Sequence, residues 1–361
     1  MKKLDIYIIR KFLETFIFVS IIFILIAVVI DVTEKLSDFI ERDAPLSEIF
    51  GVYYVNFIPY IAALLTPLFV FLGVILFTSR MAANTEIVGI LGNGISFYRM
   101  LRPYLFSAIF LTGVMIYVNN WLVPHANKQR LLFEEKYVHH AISHYLGIYL
   151  TTTKTKEEET HIALERYNTD LQEGYMFTLD AIKNDELVMK IRSPRVVWKP
   201  ERQSWVLNNY EVWKIDGMKE TVFKGEELDT ILYFTPDDFT QRIQMKESMD
   251  YEELNNFITR EKLKGSEKLA HYLVEKYSRT SNAFAIIVLT FIGVAFSTRK
   301  KRGGIGINLA IGLLIMAIFI LFLRFSTTFA TNANLPPIIA VWIPNVVFGI
   351  LAIFLVRWSP K

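Results

Sequence analysis

Long apolar runs alternate with polar segments along the chain. A helix needs about 20 residues to cross the roughly 30 Å hydrocarbon core of a bilayer, and each run is long enough to do so. The pattern predicts six membrane-spanning helices, at about 12–31, 54–77, 103–122, 280–298, 305–325 and 338–357. No small-residue cleavage site follows the first run, so we interpret it as an uncleaved span rather than a signal peptide.

A polar insert at 123–279 separates the third run from the fourth. It opens with a helical pattern and then alternates apolar and polar positions over about 145–245. Several short strands split by Asn, Gly and Pro, the last of them DTILYF at 229–234, favour an antiparallel β-sandwich or β-jelly roll. The helical period returns over about 250–278, where Asp250 and Glu253 fit the start of a capped helix that Gly265 breaks.

The strand YMFTLDAI within the insert illustrates the alternation. Strand geometry sends Phe177, Leu179 and Ala181 to one face and Thr178 and Asp180 to the other. We expect the first set to face an apolar interior that admits an acyl chain.

Basic residues concentrate in the short loops on one side of the predicted spans. They are Lys2, Lys3, Arg10, Lys11, Arg80, Arg99, Arg102, Arg299, Lys300, Lys301, Arg302, Arg357 and Lys361. By the positive-inside rule both termini are cytoplasmic, and the parity of the spans puts the insert on the other side of the membrane. The predicted parts are three spans at 1–122 with a cytoplasmic segment at 84–98, the insert, and three spans at 280–361.

The amino-acid composition and the motifs exclude several classes of function. Of the 361 residues 52% are hydrophobic, and the net charge of +3 gives no footprint for nucleic acid. The lack of cysteine excludes disulfides and thiolate metal sites. The segment RGGIGIN at 302–308 lacks the Lys-Ser/Thr of a P-loop, so we expect no nucleotide site. Because His139, His140 and His144 lack a completing ligand and no catalytic constellation is visible, we expect no metal, no bound cofactor and no enzyme activity.

A short segment after the second span, TEIVGILGNGIS, combines glycines, apolar residues and one acidic residue. If Asn84 or Thr85 caps a helix here, Ile87, Ile90 and Leu91 share one face, and Glu86 lies in the first turn. One interpretation is a docking helix whose apolar face fills a groove on a soluble motor. The other is a helix that simply lies along the membrane surface.

Ionisable residues near span ends are the remaining candidates, because charge in hydrocarbon is costly. Asp31 and Lys35 lie at the outer end of the first span, and Arg324 lies near the outer end of the fifth. Arg324 is interpreted either as an interfacial anchor or as a contact for a lipid phosphate. In the second case Asp31 is its expected partner before lipid arrives, within one subunit or across a dimer.

Four features together resemble the lipopolysaccharide-export permease family LptF/LptG, and the resemblance runs from end to end. They are the three-plus-three spans around a β-rich insert, EIVGILGNGIS after the second span, NWLVPHANKQ after the third, and LPPIIAVWIPNVVFG at the sixth. One departure is that Lys35 stands alone among acidic residues, whereas some family members carry several lysines there.

The resemblance implies six transmembrane α-helices with an inserted periplasmic antiparallel β-jelly-roll-like domain. It implies a subunit that pairs with a second, homologous or identical permease subunit and recruits a cytoplasmic ABC ATPase dimer, which hydrolyses the ATP. The segment with Glu86, Ile87, Ile90 and Leu91 is then the coupling helix. Lipopolysaccharide leaves the bacterial inner membrane through a gate of spans one and five and passes to a periplasmic jelly-roll bridge protein. The alternatives are an exporter of another envelope lipid, a structural assembly factor and a lipid-modifying enzyme.

Overall fold

The structure is a computed structural model. It describes residues 3–138, 144–155, 158–168, 171–183, 186–217, 219–232, 236, 243–263, 268–298, 304–333 and 335–359. The predictions for His139 and His140, for a helix break at Gly265 and for the basic loop 299–302 lie outside these residues.

Six of the described helices are long and apolar enough to cross a membrane, as predicted. The helices are α1 (Lys3–Glu41), α2 (Leu46–Ala83), α3 (Glu86–Gly92), α4 (Phe97–Tyr137), α5 (Tyr251–Leu263), α6 (Leu269–Ser297), α7 (Gly304–Asn332) and α8 (Pro337–Arg357). All except α3 and α5 are spans. We call the ends of the spans that lead into the insert the insert side, and the ends near α3 and both termini the terminal side.

Two spans change their helical pitch at the insert side. A π-helical stretch over Ile49–Tyr54 lies in α2, and another over Val118–Leu122 lies in α4. Such stretches rotate the residues that follow and are frequent at functional sites. Both therefore help to set the direction of the polar side chains that gather at this end.

The insert contains one antiparallel sheet of six strands, each paired with the next along the chain. The strands are β1 (His144–Thr155), β2 (Glu158–Asn168), β3 (Glu173–Lys183), β4 (Glu186–Lys199), β5 (Ser204–Asp216) and β6 (Lys219–Thr230). This confirms the predicted antiparallel β insert. The predicted last strand, DTILYF at 229–234, is wrong in position, because β6 ends at Thr230.

The apolar core of the sheet lies on one face. A row of paired residues crosses five strands: Ile162, Leu179, Ile191, Val212 and Phe223. Phe177 and Leu179 are buried in this core and Ala181 packs against it, whereas Thr178 and Asp180 lie outside it. The predicted orientation of the third strand is therefore confirmed.

The contacts divide the chain into two compact units. One contains Met1–Val138, Lys246–Asn255 and Ala270–Lys361, and the other His139–Met245 and Asn256–Leu269.

The predicted cap of α5 is present: Asp250 Oδ1 accepts hydrogen bonds from the Glu252 and Glu253 amides at 2.8 Å, and Glu253 Oε2 accepts from the Asp250 amide at 3.1 Å.

Candidate functional site

The helix α3 is held at both ends by backbone geometry. It begins after Thr85, which has a left-handed φ of 62° and makes no side-chain cap, so the predicted cap by Asn84 or Thr85 is wrong. It ends before Gly94, whose φ of 78° suits glycine because a Cβ would be strained there. Tight turns on both sides fix a helix of only two turns between two spans.

The apolar face of α3 points into its own helical bundle. Ile87 is 2% exposed in the core formed with α1, α2, α4 and α6, and Ile90 and Leu91 pack against that core. Ile87 therefore faces its own chain rather than a partner, whereas Ile90 and Leu91 are only partly buried and their part in docking stays a prediction. The opposite face is open: Val88 is 65% exposed, and Gly89 has no neighbour where a Cβ would stand.

Glu86 is oriented by two polar neighbours. Tyr7 of α1 donates a hydrogen bond of 2.9 Å to Glu86 Oε2, and Asn84 Nδ2 donates one of 3.3 Å to Oε1. Close by, Arg99 of α4 binds the carboxylate of Asp5 in bidentate geometry, at 2.6 and 2.8 Å. The first turns of α1 are thus connected both to α3 and to the start of α4.

A second polar group, the insert-side charge cluster, consists of Asp31, Lys35, Tyr53, Arg130 and Glu134. Lys35 Nζ lies 3.0 Å from Asp31 Oδ1 and 2.6 Å from Glu134 Oε1, and it also contacts the Tyr53 hydroxyl. Arg130 Nη1 lies 3.0 Å from the same Glu134 oxygen. Asp31, Glu134 and Tyr53 are all less than 9% exposed. The cluster is therefore buried and links α1, α2 and α4.

This arrangement corrects the expected pairing of Asp31. Its carboxylate is occupied by Lys35 and by the hydroxyls of Tyr53, at 3.1 Å, and Tyr54, at 3.2 Å. Arg324 is exposed on α7 and forms no ion pair with any residue that the structure describes. Within the chain, therefore, Asp31 and Arg324 do not pair, and Lys35 does not face the surroundings as a free cation.

Sequence reasoning missed the partners that complete both groups. Arg130 and Glu134 are four residues apart, as are Asp31 and Lys35, which places each pair on one helix face. The tandem Tyr53 and Tyr54 at the start of the second span was a further signal. Nothing in the sequence, however, indicates that residues 31–35, 53–54 and 130–134 lie close together in the fold.

The fold and these polar groups define a class of protein. The chain is a multi-pass membrane protein with three spans on each side of an inserted antiparallel β domain, and with a short helix clamped between its second and third spans. The model of the family described as lipopolysaccharide export system permease LptF/LptG matches residues 6–358. The chain belongs to this family, which is a family of transport components rather than of catalysts. A search of the curated proteins finds no match.

Proposed function

We propose that this chain is the membrane subunit of an ATP-driven exporter that extracts lipopolysaccharide from the bacterial inner membrane. In this proposal both termini are cytoplasmic and the β domain is periplasmic. The chain pairs with a second permease subunit, which is homologous or identical. A cytoplasmic ABC ATPase dimer hydrolyses the ATP, and a periplasmic jelly-roll bridge protein accepts the lipid.

The observation that carries the proposal is the clamped position of α3. Its buried face, represented by Ile87, joins it to the bundle, and its outer face offers Val88 and the bare backbone around Gly89. A partner helix or groove can approach closely where side chains are absent. Because Glu86 also binds Tyr7 of α1, a push on α3 reaches the first span without an intervening flexible loop.

The β domain suits an amphiphilic cargo. Its apolar row ends at Phe223 on the edge strand β6, where the side chain is 50% exposed. Arg324, exposed near the insert-side end of α7, offers a guanidinium for a lipid phosphate. Lys35 contributes only if the insert-side charge cluster opens.

Co-purification tests the proposal. The tagged full chain is extracted from native membranes, and bound proteins and lipids are identified by mass spectrometry. We expect an ABC ATPase and lipopolysaccharide with the wild type. Val88→Asp should lose the ATPase and keep the lipid, because it places a charge on the outer face of α3. Ile231→Asp, at a position 81% exposed in the β domain, is the matched control and should keep both.

Three results would contradict the proposal. Recovery of another envelope lipid in place of lipopolysaccharide would make the chain an exporter of that lipid. Envelope proteins without any ATPase would indicate a structural assembly factor. If the ATPase remains bound to the Val88→Asp variant, α3 is not the site at which the ATPase docks.

A further inference from the structure

A cavity of about 140 Å³ opens at the insert side of the helical bundle, next to the insert-side charge cluster, since Arg130 lies 4.3 Å from the ring centroid of Tyr60, which lines the cavity. Its walls come from α2, α4, α6 and the 3₁₀ turn Ile243–Ser248, and all of its lining residues belong to one compact unit. One water occupies about 30 Å³ in the liquid, so the cavity has room for a larger polar group.

Arg279 lines this cavity and has one donor atom that is unpaired in the described part of the chain. The residue is 5% exposed and lines the cavity wall. Its Nε lies 3.1 Å from Glu275 Oε1, and its Nη2 donates to the Lys246 carbonyl at 2.9 Å. Its Nη1 is buried and has no partner among the described residues. An unpaired charged donor is costly to bury, so this atom marks a place where a ligand acceptor would be stabilised.

Two carboxyl groups line the same cavity, Glu247 and Glu275. Glu247 forms no described ion pair, and its one described hydrogen bond comes from the Tyr60 hydroxyl at 3.5 Å. Burial, and then the neighbouring charge of Glu275, raise the pKa of Glu247. The cations Lys246 and Arg130 offset only part of this effect, so a further cation beside Glu247 would be stabilised. The cavity thus combines an unpaired guanidinium donor on Arg279 with Glu247, which has no described ion pair, beside Glu275, which already pairs with Arg279.

This mixed charge discriminates between lipid head groups. A purely anionic phosphate would meet Glu247 and Glu275 as well as Arg279, whereas a zwitterion satisfies both kinds of group. The mouth suits a lipid, because Leu64 lines the cavity and is 54% exposed. Asn119 and Asn282 also line the cavity, and each lies within three residues of the insert-side end of a predicted apolar run, 103–122 or 280–298.

We propose that this cavity binds the phosphoethanolamine head group of a zwitterionic phospholipid, with the phosphate on Arg279 Nη1 and the primary ammonium on Glu247 and Glu275. The lipid is a resident of the bundle and not the exported cargo. It ties Glu247, in the segment 246–248, to the spans that line the cavity. This inference goes beyond the proposed export function and does not depend on it.

The test measures lipid binding to the delipidated full chain by native mass spectrometry. Three lipids with identical acyl chains are compared: phosphatidylethanolamine, phosphatidylcholine and phosphatidylglycerol. We expect the wild type to bind phosphatidylethanolamine at least tenfold more tightly than either of the others. Arg279→Gln should lose at least tenfold in phosphatidylethanolamine affinity. Glu247→Gln should bring the ratio of phosphatidylethanolamine to phosphatidylcholine affinity close to one.

Two matched controls lie outside the cavity. Lys276→Gln removes a positive charge from the same helix, and Glu252→Gln removes a negative charge from α5. Both should bind like the wild type. Equal binding of the three lipids by the wild type, or tighter binding of phosphatidylglycerol, would overturn the proposal. If Arg279→Gln does not fold, the affinity ratio of Glu247→Gln decides, and an unchanged ratio also overturns it.

Discussion

At the scale of single residues, charge balance governs the insert-side charge cluster. Asp31 and Glu134 carry two negative charges, and Lys35 and Arg130 carry two positive ones. Removing two charges from water costs several kcal/mol for each ion, and close partners offset this cost only while the set is complete. Replacing one charged residue of the cluster should therefore destabilise the fold more than replacing two residues of opposite charge together.

We expect Lys35→Met to reduce the free energy of unfolding by about 3–5 kcal/mol, the range for breaking a buried ion pair. The double variant Asp31→Asn with Lys35→Met should recover a large part of this loss. The measurement is denaturant unfolding in mixed micelles. The control is Arg10→Met, because Arg10 pairs with Glu14 while 77% of its side chain is exposed; its effect should stay below about 1 kcal/mol. Equal losses in Lys35→Met and Arg10→Met would show that the cluster does not act as a unit.

The raised pKa of Glu247 predicts that the stability of the delipidated protein depends on pH. Because burial and then Glu275 raise the pKa of Glu247, the folded state binds its proton more tightly than the unfolded state. Stability falls as the pH rises from the ordinary glutamate pKa through the raised one. We therefore expect Glu247→Gln to raise the melting temperature at pH 7.5 and to have little effect near pH 4. A gain that is equal at both pH values, or no gain at pH 7.5, contradicts this explanation.

At the scale of elements, the hydrophobic period of the sequence predicted the spans but could not predict what each apolar face contacts. The period placed Ile87, Ile90 and Leu91 on one face of α3 correctly, yet it could not tell whether a partner or the same chain covers that face. The strand β6 was missed because KETVFKGEELDT is too polar to alternate clearly and is held mainly by pairing with β5. The insert-side charge cluster joins residues up to 103 positions apart, Asp31 to Glu134, and no local pattern encodes such a meeting.

The contact between α1 and α2 depends on Gly73. A Cβ at this position would lie 3.1 Å from the Cα of Phe16, a backbone atom that cannot move without shifting α1. We expect Gly73→Ala to separate the two helices and to cost about 1–3 kcal/mol, as overpacking does. Spin labels on Ile17→Cys and Leu64→Cys should report a longer distance, and the chain has no native cysteine to interfere.

Gly113→Ala is the matched control for this prediction. A Cβ at Gly113 in α4 meets no atom within 4 Å. The same substitution there should leave the distance between α1 and α2 unchanged and should favour the helix by up to about 1 kcal/mol. An unchanged distance in Gly73→Ala would mean that the helix packing adapts without displacing α1.

At the scale of the whole molecule, the proposed export path predicts which face of the sheet meets lipid. Phe223 lies on the face of the apolar row, opposite Val212, and Val222 lies on the other face, opposite Trp213. Their exposed fractions are similar, 50% and 45%. During ATP hydrolysis we expect a photo-crosslinker at Phe223 to label lipopolysaccharide and one at Val222 to leave it unlabelled. Equal labelling at both positions would count against a conduit on the apolar face.

The order of the six strands has a consequence for biosynthesis. Each strand pairs with its neighbour in sequence, so every pairing closes a short loop, and the entropy lost in closing it is small. The last strand ends at Thr230, before any residue of α6, α7 or α8 has been synthesised. We expect the sheet to be complete while the growing chain is still attached to the ribosome. The last three spans then enter a membrane in which the first three already carry a folded β domain.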